Sequence, residues 1–273
     1  MKTLIHVFTH NFNINQEHLK KYNFLHEKNF YFGLGDLIRS TIKLYNLSKM
    51  MNFKFIVDIQ LHPIAKFLKT ENHQYKDYVL HNKAKVEYVC YGAVEDYINS
   101  HSENDVMMIL TNDFYNDEKL SNDCKEFMKK IFTPNDTFNH FIQMKLNKIP
   151  FSTFNIIHYR INDNEFLNNN EEIAFDMYLN HLKENREFND ILLTDTKKLK
   201  KYLFLHDDIF MIDTKICHLG LSTDEDEVRD TLFEFFLLIN ASKIKTYCKI
   251  HKISGFIEWT SKIYDIPMVA FNY

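Results

Sequence analysis

Asn155 to Glu165 reads N-I-I-H-Y-R-I-N-D-N-E, and the order of residue types in this stretch decides the fold. Phe154 to Ile157 is an apolar run of strand character that continues into His158, the width of a buried strand. Asn162-Asp163 then carries turn chemistry, because asparagine tolerates left-handed backbone and Asx side chains bond nearby main chain. A helical pattern over Glu171 to Glu184 follows, so the segment is one β/α unit. Its strand ends in a histidine and a cation, which a strand with a purely structural role does not need.

The alternation continues in both directions. Upstream, strand patterns at Leu4 to Phe8, Phe53 to Ile59, Val86 to Tyr91 and Val106 to Leu110 alternate with a helical pattern beyond Gly33-Leu34-Gly35-Asp36 and a short helix at Ile64 to Leu68. Thr9 to Asn29 has no clear period and reads as loop with some helix. Helices at Ser121 to Phe132 and Thr137 to Leu146 end at Pro150, where proline stops the helical course. Downstream, strands at Asp190 to Leu193, Ile209 to Ile212 and Lys243 to Tyr247 alternate with helices at Lys197 to Leu203, Asp224 to Ile239 and Phe256 to Tyr264. Two β/α series joined near residue 150 predict an α/β protein with mainly parallel sheets. The expectation is two Rossmann-like domains, 1–150 and 151–273, facing each other across a cleft. No fixed period relates the two series.

The totals limit what such a chain can do. At 273 residues it can bury a substantial core, and 45% hydrophobic with 26% charged residues describes a globular protein. A net charge of -4 carries no general attraction to nucleic acid or anionic membrane, so any phosphate chemistry must be local. The 4 cysteines, Cys90, Cys124, Cys217 and Cys248, are scattered and show neither disulfide nor zinc spacing. No segment has the form of a signal peptide or a membrane span, so the expected compartment is the cytoplasm. The three Asn-x-Ser/Thr triplets beginning at Asn46, Asn135 and Asn240 are then chance matches in an Asn-rich chain.

In open α/β sheets ligands bind beyond the carboxyl ends of the strands, where helix N-termini offer N–H groups and a dipole favourable to anions. At those ends stand His158, Arg160 and Asp163, then Thr194-Asp195-Thr196, then Ser254-Gly255-Phe256, and in the first half Gly33, Gly35, Asp36 and Arg39. A planar guanidinium at Arg160 suits phosphate oxygens. Its ordinary alternative is a salt-bridged surface arginine, and that of His158 is a hydrogen-bonded core histidine. Both lie on one side of the strand and could meet one ligand. Asp195 and Thr196 could equally be helix caps, and Ser254-Gly255 an ordinary tight turn. Gly33-x-Gly35-Asp36 lacks the third glycine of a dinucleotide fingerprint and the lysine of a P-loop. Asp224 to Glu227 reads as the acidic first turn of a helix.

The motifs His158-Tyr159-Arg160-Ile161-Asn162-Asp163, Leu192-Leu193-Thr194-Asp195-Thr196, Ser254-Gly255-Phe256 within Arg229 to Ile266, and Gly33 to Arg39 together resemble those of GDP-fucose-dependent fucosyltransferases of the GT-B type. The α1,6, α1,2 and protein O-fucosyltransferases form that family. The resemblance implies a glycosyltransferase with GDP-fucose as donor substrate, a glycan acceptor and no metal. It implies a donor site in the C-terminal domain made of His158, Arg160, Asp163, Asp195, Thr196, Glu234, Ser254, Gly255 and Phe256. Arg160 would bind the diphosphate and stabilise departing GDP, and Glu234 falls near the family's guanine-binding aspartate. The acceptor side would be the loop carrying Gly33, Gly35, Asp36 and Arg39, with Asp36 as general base and Asp113 as the other candidate. The chain departs from the pattern at Asn162, where the family has glycine or threonine, and at Ile257, where it has serine. Two other readings remain: a GT-B enzyme using another nucleotide sugar, and a non-catalytic nucleotide- or carbohydrate-binding module.

Overall fold

The computed structural model describes residues 1–9, 32–69, 86–89, 92–101, 103–113, 119–161, 175–215, 217–220, 222–248 and 253–272. The chain divides into two compact units, one of Met1–Phe138 with Leu219–Thr223 and the other of Asn139–His218 with Asp224–Tyr273.

The first unit is built on strands β1 (Thr3–Thr9), β2 (Lys54–Leu61), β3 (Glu87–Tyr88) and β4 (Val106–Leu110) in the order β2-β1-β4-β3. Every pairing is parallel. Helix α1 (Leu34–Met50) buries Leu37, Ile38, Ile42, Leu44 and Leu47, which spread over more than half of its circumference, so most of the helix is covered. Leu44 and Leu47 join Leu4 of β1, Met107 and Ile109 of β4, and Val94 and Ile98 of helix α2 (Val94–Ser100) in one cluster. Ile5, Val7, Ile56 and Met108 form a second cluster, as alternation across a pleated sheet requires. Helix α3 (Asn122–Ile131) starts where Ser121 accepts the Cys124 N–H at 3.2 Å. Helix α4 (Asp136–Leu146) follows Pro134, and the division between the units falls inside it.

The second unit repeats the plan with β5 (Asn155–Arg160), β6 (Asp190–Thr194), β7 (Ile244–Cys248) and β8 (Met268–Asn272) in the order β6-β5-β7-β8, again wholly parallel. Every residue of β6 and β7 is buried, the pattern of parallel strands covered on both faces. Helices α5 (Phe175–Asn185) and α6 (Lys197–His206) pack Tyr178, Leu182, Leu199 and Leu203 against Ile157, Tyr159 and Leu192. Helix α7 (Glu225–Ile239) begins with Asp224 accepting the Glu227 N–H at 2.9 Å, so the acidic run is the helix start expected of it. Helix α8 (Gly255–Tyr264) leads to β8.

Several expectations need correction. Helix α1 begins at Leu34, so Gly35 and Asp36 lie in its first turn and not in a loop. The reason is local: the Asp36 carboxylate accepts the Gly33 N–H at 3.1 Å, closing the helix start. Ile209 to Ile212 forms no strand; only Phe210 bridges to Ile191. Residues 63–66 form a single 3-10 turn. Helix α2 and strand β8 were not anticipated from the sequence, and β5 continues through Arg160. Residues 10–29 of the expected loop, Asn162, Asp163 and Cys90 lie outside the described residues.

Candidate nucleotide-sugar site

Strand β5 is central in its sheet, and Arg160 is its last residue, level with Cys248, the last residue of β7. Register fixes the neighbourhood: Tyr159 pairs with Thr194 and His158 with both Leu193 and Thr246. Three segments therefore end together at one edge of the sheet. Their polar side chains interlock there.

Asp195, just past β6, organises that edge. One carboxylate oxygen lies 3.0 Å from an Arg160 guanidinium nitrogen. The other accepts the Ile161 backbone N–H at 3.0 Å and the Thr196 hydroxyl at 3.2 Å. Arg160 is thus ion-paired with a nearly buried carboxylate, without a hydrogen bond to that oxygen, while its own side chain keeps 21% exposure. The Thr196 N–H donates to the Thr194 hydroxyl at 3.3 Å, and Thr196 is the residue from which α6 departs. Thr196 caps that helix with backbone alone, since no side chain bonds its first turn.

His158 sits beneath this pair and is buried, its Nδ1 3.0 Å from the Thr246 hydroxyl of β7. Burial, aided by the Arg160 charge, pushes its pKa down to about 3. It is therefore neutral at pH 7, and a neutral ring beside Arg160 adds no repulsion. Thr246 was not singled out from the sequence; it lies 88 residues from His158, and only register brings the two together.

Ser254 is the N-cap of α8, and its side chain makes no capping hydrogen bond. Its carbonyl accepts the Ile257 and Glu258 N–H groups at 3.0 and 2.9 Å. The N–H groups of Gly255 and Phe256 belong to the first turn, where no intrahelical partner is available, and both residues are half-buried. This helix start follows β7 as Asp195 follows β6. Ile257 is fully buried, so the position where the resemblance expects a serine hydroxyl is part of the core.

Glu234 is placed elsewhere. It lies midway along α7, buried, accepting the Thr214 hydroxyl at 2.6 Å. Thr214 in turn accepts from Lys200 Nζ at 2.9 Å, and Lys200 also donates to the Ile212 and Thr214 carbonyls at 3.0 and 3.2 Å. Burial raises the Glu234 pKa, opposed by the Lys200 charge, and burial lowers that of Lys200. The Glu234 carboxylate thus has an internal partner in the Thr214 hydroxyl.

In the first unit, Asp36 bonds the Gly33 N–H and pairs with Arg39 at 2.8 Å, so Gly33, Asp36 and Arg39 form one helix start with Gly35 buried inside it. Asp113, buried, follows the end of β4, and its N–H donates to the Thr111 hydroxyl at 3.0 Å. His6 of β1 is buried beside α1, with Nδ1 2.9 Å from the Thr41 hydroxyl, and burial pushes its pKa down to about 3. The sequence did not point to His6; its side-chain partners Ser40 and Thr41 come from α1, 34 and 35 residues away, and the Thr111 backbone bonds it as well. Among the described residues, no group of three or more His, Cys, Asp or Glu side chains could hold a metal ion. No helix among them is long and apolar enough to cross a membrane.

The architecture matches solved glycosyltransferases. The structure of NodZ α-1,6-fucosyltransferase soaked with GDP-fucose, an enzyme also solved from Bradyrhizobium, superposes with a TM-score of 0.54 at 9% identity, covering 99% of this chain and 94% of that one. POFUT1 in complex with GDP gives 0.53 at 7% identity, covering 99% and 98%. A variant of Arabidopsis thaliana FUT1 in complex with GDP gives 0.52 at 10% identity, covering 98% of this chain and 70% of that one. No protein-family model matches the sequence, and no curated protein does. At these identities the likeness is one of fold, and the fold is that of the GT-B fucosyltransferases.

Proposed function

We propose that this chain is a glycosyltransferase that moves fucose from GDP-fucose to a glycan acceptor, with inversion and without a metal. The observation that carries the reading is Arg160, ending the central strand of a parallel sheet and held there by Asp195. In this reading residues 151–273 hold the donor and residues 1–150 serve the acceptor.

The chemistry asks for stabilised negative charge. As the bond from the sugar anomeric carbon to the β-phosphate oxygen breaks, its electron pair stays on the diphosphate. Arg160 offers guanidinium N–H donors to those oxygens, and its ion pair with Asp195 restrains the side chain before the substrate arrives. The first-turn amides of α8, at Gly255 and Phe256, add dipoles of the same sign. His158, neutral and bonded to Thr246, holds the strand beneath Arg160. Asp163 supplies a further donor contact, and Thr196 helps to fix Asp195. The acceptor hydroxyl attacks the opposite face of the anomeric carbon and loses its proton to a carboxylate. The candidate bases are Asp36, bonded to the Gly33 N–H and paired with Arg39, and Asp113, buried after the end of β4.

The test is direct. GDP-fucose hydrolysis or transfer should fall by about 10²- to 10³-fold in Arg160→Ala, the loss typical of one charge-stabilising donor, with the fold unchanged. A chain without turnover in either form would be a binding module. Buried Ile257 favours the second reading, a GT-B enzyme using another nucleotide sugar, because no hydroxyl can reach phosphate from that position. Calorimetry with GDP, UDP, ADP and dTDP separates the two: binding of UDP without GDP would exclude the fucosyl donor.

A further inference from the structure

One side of the second sheet carries a row of polar side chains at its carboxyl edge. Register sets His158 of β5 beside Thr246 of β7 and Arg160 beside Cys248, so strand alternation puts all four side chains on that side. Thr246 is fully buried, with its hydroxyl oxygen 3.0 Å from His158 Nδ1 and 3.8 Å from Cys248 Sγ. That hydroxyl has a single proton to give. A thiol sulfur is a weak acceptor, and a buried O–H without a good acceptor is costly, so the proton goes to the imidazole nitrogen. The Cys248 thiol in turn donates to the Thr246 oxygen. An accepting Nδ1 carries no proton, and burial keeps the ring neutral, with a pKa of about 3. The ring proton therefore sits on Nε2. Nε2 bonds nothing among the described residues, yet it is not one of the fully buried polar atoms left without a partner, and His158 keeps 6% exposure. It is the open end of the row, two residues before Arg160.

We infer that Thr246 is a positioning residue that holds His158 as the Nε2–H tautomer facing outward, and that this N–H donates to a phosphate oxygen of the bound diphosphate. The inference rests on the donor-site reading above. It adds the character of the contact: His158 meets the ligand as an uncharged donor, and Thr246, which touches no ligand, makes it one. The other tautomer would turn a lone pair toward phosphate oxygens, which repel it. A neutral donor also suits the place. A second cation two residues from Arg160 would be repelled by the guanidinium and stripped of water, whereas the N–H of a neutral ring escapes both costs. Its dipole still points at the charge that builds on the departing diphosphate. The proton stays on the ring throughout, so His158 acts as neither acid nor base in the transfer.

Nitrogen NMR of the full chain with isotope-labelled histidine rings reads the tautomer directly, the His158 signals being assigned by their loss in His158→Asn. At neutral pH and without ligand, Nε2 should resonate as a protonated nitrogen and Nδ1 as an unprotonated one that accepts a hydrogen bond. Thr246→Val keeps the shape and removes the hydroxyl, so the Nδ1 signal should move to that of an unbonded lone pair; Thr246→Ser should restore it. Calorimetry with GDP, UDP, ADP and dTDP reads the consequence. For the nucleotide that binds, Thr246→Val should weaken affinity by about fivefold and His158→Asn by about tenfold or more, the factors for a neutral and a charge-assisted hydrogen bond. Thr246→Ser should stay within about twofold of the wild type, and His158→Gln, whose amide nitrogen reaches the place of Nε2, should lose less than His158→Asn. The wild-type Nε2 signal should also shift when that nucleotide is added. A proton on Nδ1 in the wild-type chain, an Nδ1 signal that Thr246→Val leaves unmoved, or an Nε2 signal indifferent to a bound nucleotide overturns the inference while the donor site stands. The wild-type measurements decide even if a variant fails to fold. A wild-type chain that binds none of the four nucleotides overturns the donor-site reading, and the phosphate contact with it.

Discussion

Lys245 is the most informative residue to remove. It is the second residue of β7, at the end of the sheet remote from Arg160, and its side chain is 4% exposed. Its ammonium lies 2.8 Å from Asp190, 2.9 Å from Glu187 and 3.1 Å from the Asn185 carbonyl. Asp190 is fully buried, and its other contacts are neutral: the Glu187 N–H at 2.6 Å and the Asn155 amide at 3.2 Å. Lys245→Ala therefore leaves a carboxylate inside the protein without its counter-charge. Breaking a buried pair from one side costs about 3–5 kcal/mol. Glu187 contributes little to that figure, because its side chain is 53% exposed and solvent screens it. At about 3–5 °C per kcal/mol for a unit of this size, the melting transition of the second unit should fall by roughly 9–25 °C. Chemical denaturation followed by far-UV circular dichroism measures the loss, and proteolysis between the units assigns it to the second. Adding Asp190→Asn to Lys245→Ala removes the orphaned charge and should recover at least half of the loss. A single-variant cost below about 1 kcal/mol, or a double variant as unstable as the single one, would refute the reasoning, because the pair would then behave as a surface contact.

Other outcomes follow from the same contacts. Asp195→Asn keeps an acceptor for the Ile161 N–H but turns an amide toward Arg160; turnover should drop by about tenfold to a hundredfold with little change in melting temperature, and an unaltered rate would remove Asp195 from the positioning role. His6 and His158 both have pKa values near 3, against about 6.5 in the unfolded chain. The unfolded state thus binds the extra proton between pH 6.5 and 3, so stability is full above that window and falls as pH drops through it. The slope is about 1.4 kcal/mol per pH unit for each histidine, and titrating His158→Asn should show a flatter fall for the second unit alone. Gly220→Ala should destabilise the first unit by about 1–3 kcal/mol in urea, because the new methyl would stand 2.6 Å from the Phe32 carbonyl oxygen. A neutral result there would mean that the main chain at Phe32 yields easily.

The alternation of strand and helix patterns was sufficient for the fold class, because period and turn chemistry are local and each parallel strand is a short apolar run of its own. β1, β2, β4, β5, β6 and β7 were legible for that reason. β8 was not, because Met268-Val269-Ala270-Phe271 is a short run directly after Pro267 at the end of the last helix, and Ile209 to Ile212 misled because an apolar run alone does not supply a partner. At the candidate site the residue types at the strand ends were visible: Arg160, Asp195 and Ser254 were all named from sequence.

What each does was decided only by tertiary structure. Asp195 pairs with Arg160, Thr246 holds His158, and Asp190 holds Lys245 across separations of 35 to 88 residues, as in the 55 between the last two. Glu234 turned toward Thr214 and Lys200, and Asp36 toward the Gly33 amide, although both carry the same carboxylate that a ligand contact would need. Sequence by itself determined which groups are available and that parallel strands would collect them at one edge. The choice between binding a ligand and bonding a neighbour depends on burial and register, because a buried charge takes whichever partner the packed chain brings within reach.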